Sequence, residues 1–167
     1  MKQNSLIIYT ILLSVLLSCT TVKIVSNKAD NYHQRLSKVF VIIQSETKAS
    51  KFTKPFATKL MTAFKEHHIQ GEFALKHTIS LETNAEYNQK IEKFEPKQLI
   101  TIKQTAINFR APLIIDAIVF EINIVDTKTD QIIWRGELDV YGQVGLDDTI
   151  SKTLKKIIHK IKTDKLL

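Results

Sequence analysis

The sequence is short of the residues that most often carry chemistry. Its 167 residues include one cysteine, one tryptophan, four glycines and three prolines. A single thiol, Cys19, excludes an internal disulfide. The glycines, at 71, 136, 142 and 145, are too few and wrongly spaced for a phosphate-cradling loop, and Gly142-Gln143-Val144-Gly145 suits a turn. No serine stands in a Gly-x-Ser-x-Gly elbow. There is no His-Glu-x-x-His, and His33, His77 and His159 are isolated. His67 and His68 are adjacent, so on a helix they point about 100° apart and chelate poorly. The scarcity of glycine and proline excludes a loop-rich chain, and no repeat of solenoid period is present. The expectation is a protein that is not an enzyme and has no cofactor and no metal.

What the chain does have begins at its N-terminus. Lys2 is followed by the apolar run 6–17, and Ser18 precedes Cys19. Positive start, apolar centre and small residue are the order of a secretory signal peptide. As a helix the run reaches roughly 18 Å, short of the roughly 30 Å hydrocarbon core. Leu16-Leu17-Ser18-Cys19 resembles a bacterial lipobox. That resemblance implies a lipid on the Cys19 thiol, cleavage before Cys19 and acylation of the new N-terminus. Thr20 rather than Asp follows the cysteine, and no acidic run comes after it. In the better-known sorting system this implies the outer membrane, with the domain facing the periplasm.

Composition bounds the rest. Hydrophobic content of 44% and charged content of 25% are those of an ordinary globular protein, and the length suits one domain with a real core. The net charge of +7 is spread along the chain rather than blocked. Export also removes the protein from the genome, so nucleic acid is not expected as a partner. The spread charge reads first as a basic solvated surface, with attraction to anionic lipid headgroups or envelope polymers as the alternative.

The expected organisation is a cleaved signal peptide over 1–18, a lipidated N-terminus and tether over 19–36, and one α/β domain over 37–167. The β-branched run 38–43 predicts a strand buried on both faces. Phe56, Leu60 and Phe64 share a helical face, with Ser50 or Thr53 as its cap, Pro55 in its first turn and Gly71 at its exit. Residues 72–75 suggest a short strand, and Tyr87, Ile91 and Phe94 a short helix. Pro96 to Asn108 reads as the second main helix. Leu113 to Val125 and Gln131 to Tyr141 alternate as a hairpin, with Ile132, Trp134, Leu138 and Val140 on one face and Ile133 on the other. Asp147 or Asp148 caps the last helix, whose apolar stripe is Ile150, Leu154, Ile157, Ile158 and Ile161, with lysines covering the rest. The fold class is α/β (α+β): a mixed four-stranded sheet with a C-terminal antiparallel hairpin and three main helices packed on it.

The hairpin segment Asp126-Thr127-Lys128-Thr129-Asp130-Gln131-Ile132-Ile133-Trp134-Arg135-Gly136 resembles a feature of small periplasmic lipoproteins with a β-α-β-α-β-β-α core. These include the penicillin-binding-protein activator and curli-secretion-type lipoproteins, whose core is similar to the N-terminal domain of the Tol-system β-propeller protein. The resemblance implies a non-enzymatic accessory role in an envelope complex. The candidate residues are Cys19 for lipidation and Trp134, Tyr141 and Asp116 for interaction. The expected partners are the membrane, through acyl chains on Cys19, and an envelope protein complex. The alternative is a periplasmic lipoprotein that binds an anionic lipid or glycan.

Overall fold

The computed structural model describes residues 21–111, 114–141 and 146–167. The elements are β1 (Thr21–Lys28), β2 (Lys38–Ser45), α1 (Ser50–Glu66), β3 (Gln70–His77), α2 (Asn84–Phe94), β4 (Gln98–Ala111), β5 (Ile114–Asp126), β6 (Gln131–Tyr141) and α3 (Leu146–Thr163). The class is the expected α/β mixture. The sheet, however, has six strands rather than four, in the order β1-β6-β5-β4-β2-β3. β2 runs parallel to both β3 and β4. The pairs β4–β5, β5–β6 and β6–β1 are antiparallel.

The two additional strands come from segments read otherwise in the sequence. Residues 98–111 form β4, not a helix. Ile100 and Ile102 alternate into the core, and Thr101, Thr105 and Ile107 are β-branched like them, which favours the extended chain. β2, apolar on both faces, also needs a ladder partner on each side. The stretch read as a tether is part of the domain from Thr21 onward. Thr21–Lys28 pairs along its whole length with β6 and buries Val22. The chain that follows is held as well. Leu36 is buried, and its N–H donates to the Leu166 carbonyl at 2.8 Å. Gln98 accepts from the Ser37 N–H and donates to Tyr32, whose hydroxyl donates to Asp126.

Strand alternation divides the core in two. Val39, Val41 and Ile43 of β2 face α1 and α3, in one cluster with Phe52, Phe56, Leu60, Ile157 and Ile161. Phe40 faces the other way, with Ala74 and with Tyr87 and Phe94 of α2. The expected two-faced burial of β2 is therefore real. α1 follows a short 3₁₀ turn (Thr47–Ala49) and has no side-chain cap. Thr53, expected as a possible cap, is instead fully buried on the apolar face, and its hydroxyl has no hydrogen-bond partner among the described residues. His68 (φ 59°), not Gly71, makes the turn out of α1, and Gly71 lies in β3. α2 opens with a Thr83–Glu86 capping box.

The β5–β6 hairpin is where the sequence placed it. Asp126 closes its turn by accepting from the N–H groups of Lys128 and Thr129, each at 3.0 Å. A bulge at Ile124/Val125 exchanges the two isoleucines relative to simple alternation. Ile133 is buried, and Ile132 is 47% exposed. Beyond the bulge, Trp134 is fully buried. A β-carbon on Gly136 would lie 2.4 Å from the edge of the Trp134 ring. The glycine two residues on is thus what lets the indole lie flat along its own strand. The indole N–H donates to Asp164 at 2.7 Å, the Ser26 hydroxyl donates to the same oxygen at 2.6 Å, and Lys160 holds the other at 2.9 Å. This carboxylate joins β1, β6 and the end of α3.

Three outcomes follow from this packing. Gly136→Ala should lower stability by about 1–3 kcal/mol in denaturant unfolding, since the added methyl displaces the indole. Thr53→Val should raise it by about 1 kcal/mol, because an isosteric methyl replaces an unsatisfied hydroxyl. Burial pushes the Asp164 carboxyl up, but Ser26, Trp134 and Lys160 outweigh it and hold it below the ordinary range. Its stabilisation is therefore present above the unfolded-state value and is lost as pH falls through the lowered folded value. Asp164→Asn should destabilise the protein at neutral pH and flatten the acid limb of its stability–pH curve.

Candidate functional site

α3 carries two adjoining stripes. Ile150, Leu154, Ile157 and Ile161 point into the core. Lys152, Lys155, Lys156, His159 and Lys162 recur at helical spacing beside them, so they share one outer face. That face forms a wall of a cleft of about 650 Å³. His67, at the C-terminal end of α1, and Val22 of β1 complete the lining with Ile158. Among the described residues the site therefore gathers four lysines and two histidines over an apolar floor, and no acidic side chain lines it.

Its charge is mostly uncompensated. Lys152 pairs with Asp148 at 2.7 Å. Among the described residues no ion pair reaches Lys155, Lys156 or Lys162. Like charges three and four residues apart cost a helix a few tenths of a kcal/mol per pair. Long lysine stems also cover apolar surface while the ammonium groups stay wet. The result is an amphipathic cleft suited to an anion that brings some apolar surface.

A second hollow, of about 340 Å³, lies where β2 and β3 end. β2 leads to α1 on one face of the sheet, and β3 leads to α2 on the other. Open α/β sheets place ligands at such divergences. Here the Ser45 hydroxyl is 3.2 Å from His77 Nδ1. Glu46, Glu82, Lys76 and Lys103 are in the lining, so both signs of charge are present. Glu82 is taken up by Lys90 at 2.8 Å. The mixed charge gives this hollow no clear ligand preference, and the α3 cleft is the stronger candidate.

The residues singled out from the sequence do not converge. Cys19 lies outside the described residues, as do Gly142 and Gly145. Trp134 is core, so it offers no surface to a partner. Tyr141 is 42% exposed at the end of β6, on the opposite face of the sheet from Trp134. Asp116 is half-buried at a bulge, the extra residue of β5 between the pairs Asn108–Ala117 and Phe109–Ile115. This bulge is how an apolar strand takes in a carboxylate. The lysines of α3 were visible in the sequence as a helix covering. What was missed is that Val22 and His67, far away along the chain, turn that covering into a cleft.

The fold is shared with PelC. The PelC dodecamer from Paraburkholderia phytofirmans matches over 83% of this chain and 95% of its own, with a TM-score of 0.58 and 10% sequence identity. Lipoprotein GNA1162 from Neisseria meningitidis matches over 76% of this chain and 99% of its own, with a TM-score of 0.48 and 10% identity. No family model and no curated protein matches the sequence. No helix among the described residues is long and apolar enough to cross a membrane.

Neutralising one unpaired lysine tests the repulsion directly. Lys156→Gln should raise the melting temperature by about 1 °C at low ionic strength. The gain should vanish near about 1 M salt, where the screening length is about 3 Å.

Proposed function

We propose that this is a lipid-anchored cell-envelope protein, held by acyl chains on Cys19. Its soluble domain acts without catalysis, by binding an anionic partner in the α3 cleft. The observation that carries this reading is the cleft itself: four lysines and two histidines around an apolar floor, with no acid among the described residues that line it. The lipobox-like Leu16-Leu17-Ser18-Cys19 supports the anchor. The kinship with small accessory lipoproteins, read from the hairpin, belongs to the same proposal, as do the outer-membrane address and the periplasmic orientation.

One observation favours a second reading. Among the described residues both lateral strands of the sheet, β1 and β3, have one unpaired edge, and Val25 on β1 is 67% exposed. Open edges template pairing with another chain. The PelC that shares this fold is a dodecamer, so this chain is proposed to serve as a subunit of a homo-oligomer in the envelope. Light scattering of the detergent-solubilised protein measures this: a multiple of the protomer mass supports it, and a monomer at every concentration overturns it.

Intact-protein mass spectrometry of the membrane fraction tests the anchor. Wild type should show a chain beginning at Cys19 with about three acyl chains' worth of added mass, and Cys19→Ala should lose that mass and leave the membrane. An unlipidated wild type, with the variant located as before, would overturn the anchored reading.

A further inference from the structure

We propose that the α3 cleft holds a phospholipid of the bilayer that carries the anchor, with its phosphate among the lysines and the upper part of an acyl chain on the apolar floor. This rests on the reading of the cleft as an anion site and names the anion.

Three observations lead to a lipid rather than a soluble polyanion. The first is the lining. Val22 and Ile158 form the floor between Lys152, Lys155, Lys156 and Lys162. A hydrated glycan or inorganic phosphate gains nothing from that floor, whereas an amphiphile uses both parts of the site. The second is size. A cleft of about 650 Å³ falls within the roughly 300–1,000 Å³ of small-molecule sites, large enough for a headgroup with part of a chain. The third is position. β1 begins at Thr21, two residues after Cys19. At no more than about 3.6 Å per residue, the Cys19 α-carbon lies within about 11 Å of Val22 in the cleft. Acyl chains on Cys19 therefore bring headgroups to the mouth of the cleft without any diffusion through the periplasm. Each lysine near an anionic membrane surface adds to the attraction, and Lys155, Lys156 and Lys162 are not engaged by acids of their own chain among the described residues.

The test is native mass spectrometry of the mature protein purified from membranes in mild detergent. It is titrated with dioleoylphosphatidylglycerol or dioleoylphosphatidylcholine, and separately with heparin as an anion that has no acyl chain. The variants are Lys155→Glu/Lys156→Glu in the cleft, Ile158→Thr on its floor, and Lys128→Glu in the hairpin turn as a control. Circular dichroism melting establishes that each is folded. Wild type should bind phosphatidylglycerol at least about tenfold more tightly than phosphatidylcholine. The double reversal should abolish that preference, and the control should keep it. Ile158→Thr should weaken phosphatidylglycerol binding and leave heparin unaffected. Equal binding of the two lipids by wild type, or a preference that survives the double reversal, overturns the lipid proposal. Heparin bound through Lys155 and Lys156, with no preference between the lipids, overturns it while leaving the anion-site reading intact. No binding of any probe removes both.

Discussion

The packing of one indole governs the half of the sheet that carries the candidate site. Trp134 lies along its strand only because Gly136 has no side chain to lift it. In that position its N–H meets Asp164, which also takes the Ser26 hydroxyl and the Lys160 ammonium. A hairpin strand, the first strand and the last helix are thereby fixed to a single carboxylate. α3 owes its orientation over β1 to this junction and to its apolar stripe. The cleft, which needs α3, β1 and the end of α1 in register, depends on both.

The same geometry accounts for the sequence feature that suggests a family. An Asp-containing turn, a pair of aliphatics, Trp, one residue and Gly reads as a signature. In the structure each part has a local cause. Asp126 satisfies the turn amides, the bulge selects Ile133 for the core, and Gly136 makes room for Trp134. Such a motif marks a way of folding a hairpin. What it positions in this chain is α3, not an exposed aromatic patch.

Legibility in the sequence followed the strength of periodicity. β2, α1, the β5–β6 hairpin and α3 were readable because each has a long apolar pattern of one period. β4 was not. Leu99, Ile100, Ile102, Ala106 and Ile107 fit a helical face about as well as a strand, and Pro96 offered a plausible helix start. The decision came from β2, whose second edge would otherwise lack a partner, and that demand is non-local. β1 was hidden for a related reason: Val22 and Ile24 form too short a pattern to stand apart from a linker until β6 is present to pair with them. The site was half legible. The lysine stripe and Ile158 are written on one helix, but the rest of the floor and the far wall arrive from residues 22 and 67, and only the fold brings them together.

The early start of β1 has a mechanical consequence. A lipoprotein domain on a long leader sweeps out a wide volume and can meet partners at a distance from its membrane. With ladder pairing beginning at Thr21, a chain lipidated at Cys19 has almost no leash. With such an anchor the domain could not stand off from its membrane. Under the proposed anchor it would work as a fitting bolted to one leaflet. Anything it engages must come down to the surface or already be there.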